Sequence, residues 1–192
     1  MRLGVPVFVI SYSEAPSKTR DIHLGWVEDW DDDGAIFLVT FSDYPPPILA
    51  GPESPDLDAE PFFLVENSKA KTANAPVRPG QQRFKFLVLK RYGSRCAVCP
   101  IAEPELLDAA HLRPKSHKGS DDPRNGLIFC VLHHRAYDRG MFAFAPDSMV
   151  ISYRASGPKG AELAISYNTL EHLHLKPHPD ALAWAWRRWQ TT

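Results

Sequence analysis

Three cysteines and one histidine stand in two closely spaced pairs. Cys96 and Cys99 form a Cys-x2-Cys pair, and after 30 intervening residues Cys130 and His133 form a Cys-x2-His pair. A two-residue spacer lets both members of a pair turn onto one ion, and thiolates with an imidazole match the softness of zinc. The alternative is three buried thiols that act as small hydrophobes. Because every cysteine of the chain falls into the pattern, we expect a structural zinc site that stabilises a small module.

Two further histidines and an asparagine are interleaved with these pairs. They are His111 in DAAHL, Asn125 in NG and His134 in CVLHHRAYD. In this order and spacing the sequence resembles the HNH nuclease family, whose ββα-metal fold carries a histidine on a strand, an asparagine, and a histidine on a helix. The resemblance covers roughly Gly80 to Pro146, about a third of the chain. Many family members have Cys-x2-Cys-His on the helix; here His133 replaces the second cysteine, and His134 keeps the catalytic position.

The resemblance implies hydrolysis of a DNA phosphodiester bond. That reaction needs an activated water and positive charge near the leaving oxygen. His111 is then the general base, and His134 holds a catalytic Mg²⁺ or Mn²⁺. Asn125 orients the base or joins the metal shell, two roles that the sequence does not separate. Basic residues near the base are candidates for binding DNA phosphates, namely Arg113, Lys115, Lys118 and Arg124.

One position departs from the family pattern. The residue before the base, often a metal-binding Asp or His in the family, is Ala110. Asp138 lies four residues after His134, so on a helix the two side chains share a face about 5–6 Å apart. Asp108 shares a strand face with Ala110 but lies roughly 7 Å from it. We therefore favour Asp138 as the second ligand, with an ion pair to a neighbouring arginine as the structural alternative.

Predicted elements bring these side chains together. Helical spacing in QQRFKFLVLKRYG predicts a helix that ends near Gly93 and leads into Cys96. LLDAAHL predicts a short strand, RPKSHKGSDDPRNG a polar loop, and NGLIFCVLHHRAYDRG a helix closed by Gly140. MFAFAP and MVISY predict a hairpin, and PDALAWAWRRWQ a helix that begins at Pro179. The three tryptophans of this last helix, Trp184, Trp186 and Trp189, could stack on bases. Helical spacing instead favours core packing for Trp186 and Trp189.

The N-terminal segment has the pattern of a small β domain. The runs VPVFVISY and HLGWVEDWDDDGAIFLVTF include a turn signal at Asp33-Gly34, and PFFLVEN is a third apolar run. NSKAKTANAPVRPG is typical of a linker. We therefore expect an α+β protein in three parts. They are an acidic β-rich domain at residues 1–77, an HNH nuclease module at 78–146, and a hairpin remainder with a C-terminal helix at 147–192 that packs on the module.

Charge is distributed unevenly along the chain. Residues 1–77 carry 5 basic and 13 acidic side chains, net −8, whereas residues 78–141 carry 12 and 6, net +6. The basic segment would attract polyanions, although a solvated charged surface explains the same counts. No apolar run reaches the roughly 20 residues of a membrane helix, and the start lacks the features of a signal peptide. We expect a cytoplasmic protein without a membrane partner.

Together these patterns predict a metal-dependent DNA endonuclease of the HNH type, with structural Zn²⁺ and catalytic Mg²⁺ or Mn²⁺. By family analogy alone, it would serve in restriction or other defence against foreign DNA, with the acidic domain selecting a target or a partner. The alternative is a non-catalytic zinc module that binds nucleic acid or protein. One active site cuts one strand at a time, so double-strand cleavage would need a homodimer or two visits.

Overall fold

Two units make up the chain. The computed structural model describes residues 5–12, 20–45, 57–66 and 79–192, and contacts divide the chain into Met1–Glu60 and Pro61–Thr192. Strands come first and are followed by mixed helices and strands, which confirms the α+β class. The predicted boundary at residue 77 lies outside the described residues and stays a prediction. Among the described residues, none of the helices has the length and apolar character that crossing a membrane requires.

The first unit contains a three-stranded antiparallel sheet in the order β1-β2-β3. Its strands are β1 (Val5–Tyr12), β2 (Arg20–Asp31) and β3 (Ile36–Phe41). The turn predicted at Asp33-Gly34 joins β2 to β3, and the backbone N–H of Gly34 donates to Asp31 Oδ2 at 3.2 Å. The third apolar run, PFFLVEN, begins in the second unit, and its described residues, 61–66, are not part of this sheet. Within the second unit, Val65 forms an isolated antiparallel bridge with Gly119.

The core of the second unit is a strand pair between two helices. Helix α1 (Pro79–Tyr92) ends before Gly93, whose φ of 82° and N–H bond to Leu89 O at 2.7 Å close the last turn as predicted. Strand β4 (Leu107–His111) pairs antiparallel with β5 (Gly126–Cys130), and helix α2 (Val131–Asp138) follows at once. This is the ββα order that the family resemblance implies.

The prediction of one helix across NGLIFCVLHHRAYDRG is wrong in its first half. Gly126–Cys130 is a strand in which every residue is buried. A strand covered on both faces shows no polar alternation, so its apolar run cannot be distinguished from a buried helix by periodicity. The second half is helical as predicted, and Gly140 follows the helix with φ of 63°.

A hairpin and a final helix complete the second unit. Strands β6 (Phe142–Phe144) and β7 (Ile151–Tyr153) pair antiparallel, and helix α3 (Pro179–Gln190) packs against β6. The imidazole of His178 accepts a hydrogen bond from the N–H of Asp180 and so caps α3. Both elements agree with the prediction.

A glycine allows α1 to approach the strand pair closely. A Cβ at Gly126 would lie 2.7 Å from Phe84 Cζ and 2.8 Å from Val88 Cγ2, too close for a carbon contact. Gly126 also pairs with His111 in the sheet register. The Phe84 ring lies flat on the His111 ring, with centroids 3.6 Å apart and planes 7° apart. The bare backbone at position 126 therefore lets Phe84 fix the plane of the His111 imidazole.

Gly126→Ala should destabilise the second unit by about 1–3 kcal/mol, because the added methyl displaces packed side chains of α1. Urea unfolding of the full chain measures this free energy. The matched control is Gly157→Ala, whose Cβ would meet Arg154 Cβ at an ordinary 3.5 Å. Equal stability of the two variants would mean that α1 does not pack on β5 as described.

Candidate metal centre and active site

Four predicted zinc ligands come together in one buried cluster. The ligand atoms of Cys96, Cys99, Cys130 and His133 all lie within 4.8 Å of one another, and all four residues are buried. Cys96 and Cys99 precede β4, Cys130 ends β5, and His133 lies in the first turn of α2. Three sulfurs and one nitrogen at these separations suit a tetrahedral zinc ion, so this cluster could bind zinc.

Hydrogen bonds orient the histidine of the cluster. His133 Nε2 lies 2.9 Å from the carbonyl oxygen of Leu163, to which it donates. The other nitrogen, Nδ1, therefore carries the lone pair, and it lies 3.0 Å from Cys130 Sγ and 3.5 Å from Cys96 Sγ. Histidine ligands of zinc are commonly held in this way by a carbonyl on the far side of the ring.

Burial makes thiolates costly in this cluster. Loss of solvent raises the pKa of Cys96 to about 12 and also raises the pKa of Cys99. The Cys96 and Cys99 thiols therefore favour the protonated form unless a compensating charge is present. A divalent cation supplies that charge, and the donor set fits Zn²⁺.

His111 stands at the end of β4 and is fixed by a carboxylate that the sequence analysis did not single out. Its Nε2 lies 3.0 Å from Asp121 Oδ1. Asp121 belongs to the polar loop between β4 and β5, where it neighbours Asp122. Asp122 instead pairs with Arg124. An acidic pair ten residues after the base was the available signal, but no periodicity in a loop shows which carboxylate turns toward the histidine.

Asp121 is held in its ionised form. Burial alone would raise the pKa of Asp121, but the hydrogen bonds and positive charges of His111 and Lys115 outweigh burial and lower it. Lys115 Nζ lies 2.7 Å from Asp121 Oδ2 and 3.1 Å from Glu66 Oε1. An ionised carboxylate only accepts hydrogen bonds, so in neutral His111 the proton sits on Nε2. The lone pair is then on Nδ1.

Asn125 is fully buried and bonded to the backbone of the same loop. Its Oδ1 accepts from the N–H of Arg113 at 2.9 Å, and its Nδ2 donates to the carbonyl oxygens of Arg113 at 3.1 Å and Ser120 at 2.9 Å. These bonds tie together the two ends of the loop segment that precedes Asp121. Asn125 therefore holds the loop that carries Asp121, and its described hydrogen bonds do not include one to His111.

His134 lies between two carboxylates on α2 and β4. Its Nε2 is 3.6 Å from Asp138 Oδ2, and its Nδ1 is 3.7 Å from Asp108 Oδ2. The two carboxylates approach different nitrogens, so a given nitrogen of His134 can share an ion with only one of them. Asp108 also lies 3.5 Å from Lys85 Nζ, which competes for its charge. Within the described residues, the zinc cluster is the one group of three or more candidate ligands.

A cleft of about 310 Å³ lies beside strand β4, which carries His111, and helix α2, which carries His134. It is lined by His111 from β4, Asp138 from α2, and Trp184 and Arg188 from α3, among other residues. Its volume falls at the lower end of the range for small-molecule sites. The candidate base and the candidate metal-binding carboxylate therefore face one space.

Two of the predicted phosphate-binding residues have a carboxylate partner within the protein. Arg124 is only 3% exposed, and its guanidinium bonds to both carboxylate oxygens of Asp122 and to the carbonyl of Pro61. Lys115 holds Asp121, as described above. Both residues thus pair with an acidic side chain, but Arg124 is buried whereas Lys115 is exposed.

The other two basic residues of the loop are accessible. Lys118 is exposed and adopts a left-handed backbone with φ of 60°. Arg113 is half-buried, and its guanidinium lies over the ring of Trp184, 5.2 Å from the ring centroid. Of the four residues predicted to bind phosphate, Arg113 and Lys118 are thus the ones without a carboxylate partner among the described residues.

Comparison with known proteins agrees with this geometry in one segment. Residues 96–145 match a family described as HNH endonuclease. No curated protein is detectably similar to the chain. Among solved structures, a modification dependent TagI restriction endonuclease matches with a TM-score of 0.43 and 18% sequence identity, over 96% of this chain and 62% of that one. The chain thus spans less than two thirds of the length of that protein.

The matched segment contains the whole zinc cluster together with the ββα unit. Residues 96–145 therefore carry the HNH endonuclease pattern, which confirms the family resemblance inferred from His111, Asn125 and His134.

Proposed function

We propose that this protein is a metal-dependent endonuclease that hydrolyses phosphodiester bonds of DNA. The observation that carries the proposal is the cleft that His111 and Asp138 share. Phosphodiester hydrolysis needs a proton acceptor and a divalent ion next to the same phosphate, and these two side chains are suited to those tasks. The family match over residues 96–145 supports the same reaction class.

His111 acts as the general base in this proposal. As a water oxygen bonds to phosphorus, its proton passes to His111 Nδ1, and the bond from phosphorus to the leaving oxygen breaks. Asp121 holds the opposite nitrogen at 3.0 Å and stabilises the imidazolium that forms. Phe84 holds the ring plane by stacking. The base therefore needs no reorientation when it takes the proton.

His134 Nε2 and Asp138 Oδ2 would hold the divalent ion. Their 3.6 Å separation lies between the cis and trans separations of two ligands at about 2.1 Å from one ion, roughly 3.0 and 4.2 Å. A nitrogen and a carboxylate oxygen suit Mg²⁺ or Mn²⁺, and such sites keep positions for water and substrate phosphate. When bound, the ion supplies Lewis-acid stabilisation of the charge on the phosphate and leaving oxygen.

Biological role rests on family analogy. We propose a cytoplasmic protein that acts in restriction or other defence against foreign DNA, in which the acidic residues 1–77 select a target or a partner. The net charge of −8 on that segment repels phosphate, so any DNA contact there must be specific and short-range. A single active site cuts one strand at a time, so a double-strand cut would require a homodimer or two visits.

Zinc should be structural, because four protein ligands leave no position open for substrate. Elemental analysis of the purified full chain should give about one zinc per chain, and His133→Ala should lose that zinc and lower the Tm. His174→Ala is the matched control, because His174 is an exposed histidine that is not one of the cluster residues. This variant should keep its zinc and its Tm. A stable, folded chain without zinc would contradict this assignment.

Nicking of supercoiled plasmid in Mg²⁺ or Mn²⁺ tests the base. His111→Ala should slow nicking by roughly a hundred- to ten-thousandfold, because the proton acceptor is lost. Asp121→Asn should slow it about ten- to a hundredfold, because an amide neither fixes the tautomer nor stabilises the imidazolium. Controls are His174→Ala and Asp147→Asn, both exposed and remote in sequence. Unchanged nicking by His111→Ala would remove it from the mechanism, and DNA binding without cleavage in every metal would favour the non-catalytic zinc module.

Binding of Mn²⁺, followed by electron paramagnetic resonance of the free ion at constant zinc content, tests the second site independently of activity. His134→Ala and Asp138→Ala should each weaken Mn²⁺ binding by about tenfold or more, because each removes a direct ligand. His111→Ala should bind Mn²⁺ normally. The comparison variant is Asp108→Ala, whose carboxylate is shared with Lys85. A larger loss in Asp108→Ala than in Asp138→Ala would transfer the ligand role to Asp108.

A further inference from the structure

Trp184 of α3 lies at the cleft with two arginines over its ring. The guanidinium carbon of Arg113 is 5.2 Å from the ring centroid and that of Arg188 is 5.7 Å away. Both distances fall within the roughly 6 Å range of a cation–π interaction. Arg113 comes from the loop after β4, whereas Arg188 comes from the last turn of α3. One aromatic side chain thus brings together two cations that are far apart in sequence.

His117 connects the two arginines. Its carbonyl oxygen accepts a hydrogen bond from Arg113 Nε at 2.9 Å, and its Nδ1 lies 2.9 Å from Arg188 Nη1. Its ring meets Trp184 edge to face, with centroids 5.4 Å apart. The described hydrogen bonds engage only the Nε group of Arg113 and the Nη1 group of Arg188. Each guanidinium has five N–H donors, so both retain donors for a ligand.

Within the part of the chain that the structure describes, these two arginines have no acidic partner, unlike Arg124 and Lys115 of the same loop region. Arg124 is paired with Asp122 and Lys115 with Asp121. Among the described residues, no carboxylate lies within ion-pair distance of Arg113 or Arg188. Two fixed positive charges without a compensating carboxylate make a site for an anion.

We propose that Arg113 and Arg188, positioned by Trp184, form a clamp that binds backbone phosphates of the nucleic acid next to the bond that is cut. This inference rests on the proposed function, because His111 and Arg188 line the same cleft. The planar guanidinium fork matches the oxygens of a phosphate, and prior ordering on the ring reduces the entropy lost on binding. Trp184 and Arg188 lie outside residues 96–145, so the family match does not include this clamp.

The clamp reads charge and not base identity. Phosphate contacts fix the register of a strand and carry no sequence information of their own. Stacking of a base on Trp184 would require an indole face that the two guanidiniums now approach. The side chain therefore acts as a support for the arginines, and its own role is positioning.

Salt dependence of DNA binding tests the clamp. The full chain is used with His111→Ala as a common background, so that a labelled DNA duplex stays intact while its Kd is measured by fluorescence anisotropy at several salt concentrations. Arg188→Ala should lower the slope of log affinity against log salt by about 0.9, which corresponds to about eightfold weaker binding at 0.1 M salt. Arg187→Ala is the matched control, because it removes the same charge from an exposed position one residue away on α3. It should leave the slope unchanged.

Trp184 variants separate positioning from charge. Trp184→Leu should weaken DNA binding although no charge is lost, and Trp184→Phe should recover most of the affinity because it keeps a ring under the arginines. Tm and zinc content of each variant report folding. If Arg188→Ala does not fold, Arg188→Gln gives the same charge loss with a similar side chain and replaces it in the comparison. Competition by inorganic phosphate should displace DNA only weakly; displacement at equal concentrations would assign the site to a free anion instead.

Failure of the clamp and failure of the proposed function give different results. If the unaltered protein nicks plasmid but Arg188→Ala and Arg187→Ala have the same affinity and slope, the clamp is overturned and the endonuclease proposal stands. If the unaltered protein binds duplex and never cuts it, while Arg188→Ala alone lowers the slope, the clamp stands and the endonuclease proposal fails.

Discussion

Asn125 is fully buried, and its amide makes three hydrogen bonds to the backbone of Arg113 and Ser120. Each buried amide group left without a partner would cost about 1–3 kcal/mol, so the loop between β4 and β5 is strongly held in one shape. That shape brings Asp121 against His111 and places Arg113 over the ring of Trp184. The Asn125 side chain thus determines where Asp121 and Arg113 stand relative to His111 and Trp184.

Buried charge is compensated differently in the two parts of the site. At His111, protein side chains compensate the buried charge, because Lys115 and the histidine itself keep Asp121 ionised despite burial. In the zinc cluster, burial raises the pKa of Cys96 and Cys99, and Lys or Arg partners for the thiols are absent from the described contacts. A divalent cation could supply the compensation there, and the four ligands fit zinc. The first part is therefore pre-organised by side chains, whereas the second offers a site for a metal ion.

Local spacing predicted those features that local physics decides. Short-range geometry governs the ligand pairs with two intervening residues, the helix end at Gly93 and the hairpin after Gly140. Strand β5 was mistaken for helix because burial on both faces removes the alternation that identifies a strand. Asp121 and the inward placement of Arg124 could not be predicted, since partners in a loop depend on long-range packing. Trp184 shows the same limit, because its neighbour Arg113 lies 71 positions earlier in the chain.

The C-terminal helix α3 adds side chains to the cleft, among them Trp184 and Arg188, that a ββα unit alone lacks. In the proposed mechanism, His111 of β4 and Asp138 of α2 supply the chemistry, but a phosphodiester must also be held in line with the attacking water. Helix α3 packs on β6, and the indole of Trp189 donates to the carbonyl of Gly140 at 2.9 Å, just after α2. This bond links α3 to the end of α2, so Asp138 and Arg188 line one cleft from two connected elements. In the proposed clamp, charge held there would position a strand without reading its sequence.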